Sequence, residues 1–244
     1  DLTTIFEAQV HGLMQRVKAT HAHDLVLGVS GGLDSALALL VCHRAFAELN
    51  YPFKGIHAYS MPAFATTTRT KDNAKALCQA LGVSFAQVDI TKTIKSHLKD
   101  LNHPEDLYDA AYENAQDRAR TYLLMDAANM VHGLVVGTGD LSEIALGWAT
   151  YNGDQMAMYN VNCSVPKTVV KEVVRLVAAD YAASNLIVAR TLTDILATPI
   201  SPELVPAKDK DTIGQVTEDI IGPYELHDFF LYCFLRRGPS LIHL

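Results

Sequence analysis

The sequence lacks several features that would assign it to other classes of protein. No apolar run approaches the roughly 20 residues that a membrane-spanning helix needs, so we expect no membrane partner. Residues 1–4 carry neither a basic segment nor a cleavage signature, so no secretory signal is predicted. The four cysteines, Cys42, Cys78, Cys163 and Cys233, form no CxxC pair. Reduced thiols in a cytoplasmic protein are therefore expected.

Clusters of basic residues and histidine metal motifs are also missing. The net charge is −7, and no cluster contains five or more Lys or Arg residues, which argues against a nucleic-acid partner. A small polyanionic ligand remains compatible with this charge, because backbone amides and a few lysines can hold one. The ten histidines form no HxxxH or HxxE pattern, and His227 is interpreted as structural.

The order of the apolar segments predicts an α/β fold. A chain of 244 residues that is 49% hydrophobic suits one domain, which we place at residues 1–244. Short Val/Leu/Ile strands alternate with helices, a pattern typical of βαβ units that form an open parallel β-sheet with helices on both faces, as in Rossmann-like three-layer folds. The predicted strands cover residues 25–29, 53–59, 83–88 and 134–136, and the helices between them cover residues 3–19, 36–46, 71–81 and 111–131.

The second half of the chain is less regular. Residues 147–166 show no clean period and are predicted to form a long loop. Residues 198–211 contain three prolines and are predicted to form a mobile loop. A helix is predicted at residues 169–183. The apolar residues Leu226, Phe229, Phe230 and Cys233 predict a last amphipathic helix.

The most informative segment is Ser30-Gly31-Gly32-Leu33-Asp34-Ser35, between an apolar strand and an apolar helix. Gly31 and Gly32 let the backbone approach an anion closely, and the helix start favours phosphate. Ser30 and Ser35 supply hydroxyl donors, and Asp34 can hold Mg²⁺. No Gly-Lys-Ser/Thr follows, so this is not a Walker A loop. The alternative is a Ser-Gly turn that only caps a helix, and the strand–loop–helix context argues against it.

This segment resembles the pyrophosphate loop of ATP pyrophosphatases, which implies cleavage of ATP between the α- and β-phosphates. Seven further segments carry a second resemblance: residues 61–70 (Met-Pro-Ala-Phe-Ala-Thr-Thr-Thr-Arg-Thr), 112–120 (Tyr-Glu-Asn-Ala-Gln-Asp-Arg-Ala-Arg), 137–143 (Gly-Thr-Gly-Asp-Leu-Ser-Glu), 147–154 (Gly-Trp-Ala-Thr-Tyr-Asn-Gly-Asp), 160–168 (Asn-Val-Asn-Cys-Ser-Val-Pro-Lys-Thr), 200–204 (Ile-Ser-Pro-Glu-Leu) and 217–228 (Thr-Glu-Asp-Ile-Ile-Gly-Pro-Tyr-Glu-Leu-His-Asp). With them the chain resembles, from about Leu25 to Arg236, the NAD synthetases, in particular the synthetase half of the long, glutamine-using form.

The resemblance implies a role for several polar residues. Thr138 follows an apolar strand and would contact ATP at a strand carboxyl end. Glu143 would join Asp34 at the metal and the substrate, and Lys167 would meet the ATP phosphates. Taken alone, Glu143 fits a solvated acid in a first helical turn, and Lys167 a surface lysine. Asp34, Glu143 and Lys167 are therefore the expected catalytic residues.

A second set is implied to bind the dinucleotide substrate. Asn114 and Arg118 are four residues apart and share a helical face, from which Arg118 can fork onto phosphate or ribose oxygens. Arg120 points elsewhere and is interpreted as structural. Trp148, the only tryptophan, could stack on the nicotinate or anchor its loop in the core. Tyr151 is included, although short family members carry a lysine there.

The implied reaction is the ATP-dependent amidation of nicotinic acid adenine dinucleotide (deamido-NAD) to NAD, which releases AMP and pyrophosphate. The nitrogen donor would be ammonia, which long-form enzymes take from glutamine. Because no glutaminase module precedes the segment, the chain is expected to need free ammonia. The resemblance also implies a homodimer or a larger homo-oligomer. Two alternatives stay open: another amidotransferase such as a GMP synthetase-like ligase, and a dinucleotide-binding domain without turnover.

Two departures from the family pattern bear on the site. Ala63 and Ala65 stand where the family has glycines, and alanine at a positive φ would strain the loop on the ATP side. A C-terminal tail of the family type, which often closes over the substrate, is not recognisable after Arg236.

Overall fold

Five parallel strands form one sheet in the computed structural model, which describes residues 1–205 and 216–238. The strands are β1 (Leu25–Gly28), β2 (Ile56–Ser60), β3 (Ser84–Gln87), β4 (Leu134–Gly137) and β5 (Tyr159–Asn160), in the order β3-β2-β1-β4-β5. The predicted open parallel sheet is confirmed. The prediction for residues 53–55 was wrong: they form a 3₁₀ turn that leads into β2.

Helices cover both faces of this sheet, as predicted. Four helices were not predicted: Thr91–Asp100, Leu141–Leu146, Leu186–Leu196 and Thr217–Ile221. The strand β5 lies inside residues 147–166, which were predicted as a loop. Residues 206–211 of the predicted mobile loop lie outside the described residues. The helices are α1 (Leu2–Thr20), α2 (Leu33–Leu49), α3 (Thr68–Ala80), α4 (Thr91–Asp100), α5 (Ala110–Val131), α6 (Leu141–Leu146), α7 (Lys167–Tyr181), α8 (Leu186–Leu196), α9 (Thr217–Ile221) and α10 (Tyr224–Arg237). Among these described helices, none has the length and apolar character needed to cross a bilayer.

The central strand β1 is buried on both sides, which explains its unbroken apolar sequence. Leu25 and Leu27 point into the larger core, shared with α1, α2, α7 and α8. Val26 points to the opposite face and packs with Ala127 and Ala128 of α5. Because successive side chains of β1 point to opposite faces, this strand packs against a helix layer on each face of the sheet.

The strand order reverses direction at β1. The chain proceeds from β1 to β2 on one side, and β4 pairs with the other side of β1. The connections that leave β1 and β4 therefore diverge and open a crevice at their carboxyl ends, where open α/β sheets bind ligands. Both predicted ATP segments, residues 30–35 and Thr138, leave the sheet at this crevice.

The last helix, α10, was predicted correctly, and its apolar residues lie on its exposed side. Leu226, Phe229 and Phe230 are 56%, 62% and 66% exposed, whereas Tyr224 and Asp228 face inward and are buried. Asp228 is held inside because its carboxylate accepts hydrogen bonds from the start of α7. The hydrogen bonds to the buried Asp228 carboxylate thus orient α10 with its polar side toward α7 and its apolar residues outward.

Candidate functional site

The loop after β1 is organised by its own hydroxyl groups. Ser30 N–H donates to Ser35 Oγ (3.3 Å), Gly32 N–H donates to Ser30 Oγ (3.1 Å), and Ser35 Oγ donates to the Gly32 carbonyl (3.2 Å). Gly32 is the N-cap of α2 and provides no side-chain cap, so the N–H groups of the first turn stay open to a ligand. This arrangement matches an anion site at a helix N-terminus.

Gly31 is the residue of this loop with the strictest steric demand. Its φ is +88°, and a Cβ atom here would clash with the backbone carbonyl of Thr70 in α3. Gly32, by contrast, has an extended backbone, and its Cβ would lie 3.2 Å from the movable Ser30 Oγ. Glycine is therefore required at residue 31 by both backbone conformation and close approach.

We expect Gly31→Ala to lower the free energy of unfolding by about 2–4 kcal/mol, because it adds a strained φ and an overpacked contact. Gly32→Ala is the matched control and should cost less than about 1 kcal/mol. Urea unfolding of the two variants and the wild type measures the difference. Equal unfolding free energies for the two variants would contradict this description of the loop.

Lys167 lies at the centre of an acidic cluster beside this loop. Its Nζ is 2.5 Å from Asp34 Oδ2, 2.9 Å from Glu143 Oε1 and 2.9 Å from Asp140 Oδ2. Lys167 is only 2% exposed, so this is no surface lysine. The structure therefore brings together Asp34, Glu143 and Lys167, which the sequence analysis selected from segments far apart in the chain.

Asp140 is the residue of this cluster that the sequence analysis did not select. It is the N-cap of α6 and shares a capping box with Glu143: Glu143 N–H donates to Asp140 Oδ1 (2.8 Å), and Asp140 N–H donates to Glu143 Oε2 (3.3 Å). The sequence signal was available, because an Asp followed three residues later by Glu is typical of this motif. The box leaves the second oxygen of each carboxylate directed at Lys167.

The donor set of the cluster fits a hard divalent cation. Asp34, Asp140 and Glu143 each offer one carboxylate oxygen, and these oxygens lie within 4.8 Å of one another. Asp34 Oδ1 is buried and has no hydrogen-bond partner among the described residues. Asp140 Oδ2 is paired with the Lys167 ammonium at 2.9 Å. Asp34 Oδ1 is therefore the oxygen of this cluster best suited to accept Mg²⁺ that is shared with phosphates.

The electrostatics of the cluster follow from its burial. Burial raises the pKa of Glu143, and the charge of Asp34 raises it further. The same two causes, in the same order, raise the pKa of Asp140 to about 6. Burial alone would lower the pKa of Lys167, but the facing carboxylates together raise it well above 10.5. Lys167 is therefore a permanent cation among carboxyl groups that hold protons unusually tightly.

The start of α7 and the inward face of α10 support Lys167 from behind. Lys167 N–H donates to Ser142 Oγ (2.9 Å), and the Ser142 hydroxyl in turn contacts the Asp228 carboxylate. Asp228 Oδ2 also accepts hydrogen bonds from Thr168 N–H (2.8 Å) and Thr168 Oγ1 (2.7 Å). The ring of Tyr224 lies 5.4 Å from Lys167 Nζ. The hydrogen bonds through Ser142 and Asp228 thus hold the start of α7 without using the Lys167 ammonium group.

A cavity of about 390 Å³ opens in front of the cluster at the carboxyl ends of the strands. Gly31, Lys167 and Asp140 do not line it: all three are buried. Arg120 was predicted to point elsewhere, but it lines this cavity. It is held by hydrogen bonds to the Met61 carbonyl (3.3 Å) and to Asp117 (3.0 Å). The predicted site residues in its wall are Ser30, Gly32, Asp34, Ser35, Thr138, Glu143 and Trp148.

Three predicted substrate residues lie outside this wall. Asn114, Arg118 and Tyr151 gather beside the cavity, where Arg118 Nε donates to the Tyr151 carbonyl (3.1 Å) and Thr150 Oγ1 donates to Asn114 Oδ1 (2.8 Å). The helix α5 is rotated so that Asp117 and Arg120 line the cavity, whereas Asn114 and Arg118 do not. The shared face of Asn114 and Arg118 was predictable from their spacing, but the rotation of α5 against the sheet was not.

The expected strain at Ala63 and Ala65 does not arise. Neither alanine is among the residues with positive φ. Ala63 N–H donates to Thr66 Oγ1 (3.2 Å), and Phe64 packs its ring 5.2 Å from that of Tyr112. The loop therefore accepts alanine where the family pattern has glycine.

Comparison with known proteins agrees with this geometry. The family model for NAD synthase matches residues 5–235. The chain is 45% identical to a glutamine-dependent NAD(+) synthetase of Mycobacterium leprae and 43% identical to one of Mycobacterium tuberculosis, each over 99% of this chain and 36% of the relative. It thus spans about a third of the length of these curated relatives.

Solved structures give the same result. The glutamine-dependent NAD+ synthetase of Acinetobacter baumannii, in complex with ADP, superposes with a TM-score of 0.71 at 26% identity, over 96% of this chain and 39% of that one. An NMN synthetase from Francisella tularensis shares the fold, with a TM-score of 0.76 at 22% identity, over 95% of this chain and 86% of that one. By the match of its sequence to the family model over nearly its whole length, the chain belongs to the NAD synthase family.

Proposed function

We propose that the chain catalyses the ATP-dependent amidation of deamido-NAD to NAD through an adenylated carboxylate. The observation that carries this proposal is the buried Lys167, which faces three carboxylates directly beside the phosphate-type loop of residues 30–35. Such a cluster suits MgATP rather than a dinucleotide alone. The family match supports deamido-NAD as the substrate, rather than the substrate of a GMP synthetase-like ligase.

Different residues of the site would hold the phosphates and the metal ion of MgATP. Backbone amides of residues 30–35 and the start of α2 would bind the phosphates, with Ser30 and Ser35 as hydroxyl donors. Asp34, Asp140 and Glu143 would hold Mg²⁺, which when bound neutralises charge on the phosphates. Lys167 keeps the three carboxylates in place and adds a fixed positive charge to the floor of the site. Thr138 would contact ATP from the turn after β4.

The proposed chemistry needs no protein nucleophile. A nicotinate carboxylate oxygen attacks the α-phosphorus of ATP, the bond to the bridging oxygen breaks, and pyrophosphate leaves. Ammonia then attacks the carbonyl carbon of the mixed anhydride, AMP leaves, and the nitrogen loses a proton to solvent. The chain contributes by positioning the reactants and by stabilising the charge that develops on the phosphates.

Mg²⁺ binding should strengthen with rising pH. A protonated carboxyl group is a poor ligand, and the pKa values of Asp140 and Glu143 are raised to about 6 and about 8. We therefore expect the concentration of Mg²⁺ that gives half-maximal activity to fall between pH 6 and pH 8.5. A titration with Mg²⁺ at fixed ATP measures this, and a half-maximal concentration that rises with pH would contradict the assignment.

Asn114, Arg118 and Tyr151 are proposed as contacts to the dinucleotide at the rim of the cavity. Arg118 uses only Nε for a hydrogen bond among the described residues, so its other guanidinium N–H groups are open to a phosphate or ribose. Trp148 lines the cavity and is proposed to stack on the nicotinate.

We also propose that the chain forms a homodimer or a larger homo-oligomer in the cytoplasm. Large apolar side chains exposed on α10, including Phe229 and Phe230, support self-association. All four cysteines are free thiols, which supports a reducing compartment.

The proposed function is tested by incubating the chain with MgATP, deamido-NAD and ammonium, and following NAD with a coupled dehydrogenase. We expect NAD and AMP in equal amounts, and no NAD when glutamine replaces ammonium, because the proposal assigns residues 1–244 to the synthetase domain alone. NAD formation from glutamine would refute that domain assignment. Binding of deamido-NAD without any release of AMP would instead identify a dinucleotide-binding domain without turnover.

A further inference from the structure

Asn162 joins the two loops that carry the predicted ATP residues. Its side chain is 0% exposed. Its Nδ2 donates to the backbone carbonyl of Asp34 (3.0 Å), at the start of α2, and to the backbone carbonyl of Thr138 (2.9 Å), after β4. One buried amide group therefore bridges the diverging connections that form the crevice.

The orientation of this amide is determined by its neighbours. Backbone carbonyls only accept hydrogen bonds, so the NH₂ group of Asn162 must face Asp34 and Thr138. Its oxygen then faces Gln9 of α1, whose Nε2 donates to Asn162 Oδ1 (3.0 Å) and to the Val161 carbonyl (2.9 Å). Both side-chain amide hydrogens of Asn162 and both of Gln9 thus have an acceptor. A buried series of hydrogen bonds therefore connects α1 to both loops.

Asn160, at the end of β5, reinforces one side of this bridge. Its Nδ2 donates to the Gly139 carbonyl (2.9 Å), and its Oδ1 accepts from the Asn162 N–H (3.0 Å). The turn at Thr138 and Gly139 is therefore held by two asparagines. The Asn162 side chain bonds directly to both this turn and the loop of residues 30–35, which makes it the shared point.

We propose that Asn162 is a positioning residue that sets the distance between the loop of residues 30–35 and the turn at Thr138, with Gln9 fixing its orientation. The inference rests on the proposed function, in which ATP contacts both loops. A shift of about 1 Å in a positioning group can cost about 100-fold in rate, so a buried bridge between the loops bears directly on activity.

Asn162→Asp tests the direction of the hydrogen bonds. The new carboxyl has the same shape but points an acceptor at two carbonyl oxygens. We expect kcat/KM for ATP to fall about 100-fold at pH 8, while KM for deamido-NAD changes less than about threefold.

Asn162→Ala is the matched variant, because it removes the bridge without adding a charge. Its kcat/KM for ATP should fall about as far as in Asn162→Asp, again with KM for deamido-NAD changed less than about threefold. A residue with only a structural role would lower thermal stability without this selective loss for ATP. Should Asn162→Ala fail to fold, Gln9→Met removes the orienting donor to Asn162 Oδ1, together with the hydrogen bond to the Val161 carbonyl. We expect a loss of about 10-fold in kcat/KM for ATP.

Amide hydrogen exchange tests the bridge without relying on activity. In Asn162→Ala, or in Gln9→Met if that variant is needed, exchange should accelerate in residues 30–35 and at Thr138 and Gly139 together. Unchanged exchange in either loop, or kcat/KM for ATP within twofold of wild type, would overturn the inference. A wild-type chain that neither binds nor turns over MgATP would refute the proposed function, and the exchange result would still decide whether Asn162 ties the loops.

Discussion

Asp34→Asn should reduce kcat/KM for ATP by at least about 1,000-fold while the chain stays folded. The side chain keeps its size, but it loses the negative charge and one of the two carboxylate oxygens. Asp34 Oδ2 contacts Lys167 Nζ at 2.5 Å. The buried Oδ1, which has no hydrogen-bond partner in the described part of the chain, is the oxygen proposed to bind Mg²⁺. Loss of one group that stabilises charge on the reacting phosphates costs several kcal/mol of transition-state stabilisation, which supports this estimate.

The fold should tolerate this change, because Lys167 keeps Glu143 and Asp140 as partners. The matched control is Asp180→Asn, at an exposed position of α7, which should leave activity unchanged. Steady-state kinetics with saturating deamido-NAD and ammonium measure both variants. A loss below about 10-fold in Asp34→Asn would remove Asp34 from the metal site.

Lys167→Met should lower the free energy of unfolding by about 3–5 kcal/mol at pH 8 and abolish activity. The substitution leaves three carboxylates without their cation in a buried site, and breaking a buried ion pair from one side has this typical cost. The neighbouring Tyr224 ring, which lies 5.4 Å from the ammonium, offers no charge in its place. Lys171→Met, at an exposed position of the same helix, should change stability by less than about 0.5 kcal/mol.

The cost of Lys167→Met should depend on pH in a defined direction. The pKa values of Asp140 and Glu143 are raised above their unfolded values, so the folded state binds more protons between about pH 4 and pH 8. Stability from these groups then falls as pH rises, and without the lysine it falls more steeply. Urea unfolding at pH 5.5 and pH 8 measures this. A destabilisation that is larger at pH 5.5 would show that the lysine does not balance these acids.

Local sequence patterns were sufficient to predict the layers of the fold and the position of the phosphate-type loop. The apolar strand before Ser30 and the two glycines after it depend only on neighbours in sequence. Asp140 was missed because its role depends on Lys167, which is 27 positions away and reaches it only across α6 and α7. α8 was missed because Leu186, Ile187, Val188 and Ala189 form an unbroken apolar run without a clear period.

The orientation of helices against the sheet was not predictable in the same way. The apolar residues of α10 suggested a buried stripe, but Asp228 bonds to Thr168, 60 positions away, and turns the opposite face inward. The rotation of α5 likewise directs Asp117 to the cavity and leaves Arg118 beside it. The rotation of each helix depends on such long-range polar contacts, and the apolar period of a single helix carries no information about them.

The exchange of labelled pyrophosphate into ATP tests the central claim most directly, because it isolates the adenylation step and needs no ammonia. The proposed site predicts exchange only when Mg²⁺ and deamido-NAD are both present, and no exchange in Asp34→Asn. Exchange without the dinucleotide, or undiminished exchange in Asp34→Asn, would contradict the claim that this cluster adenylates the substrate carboxylate.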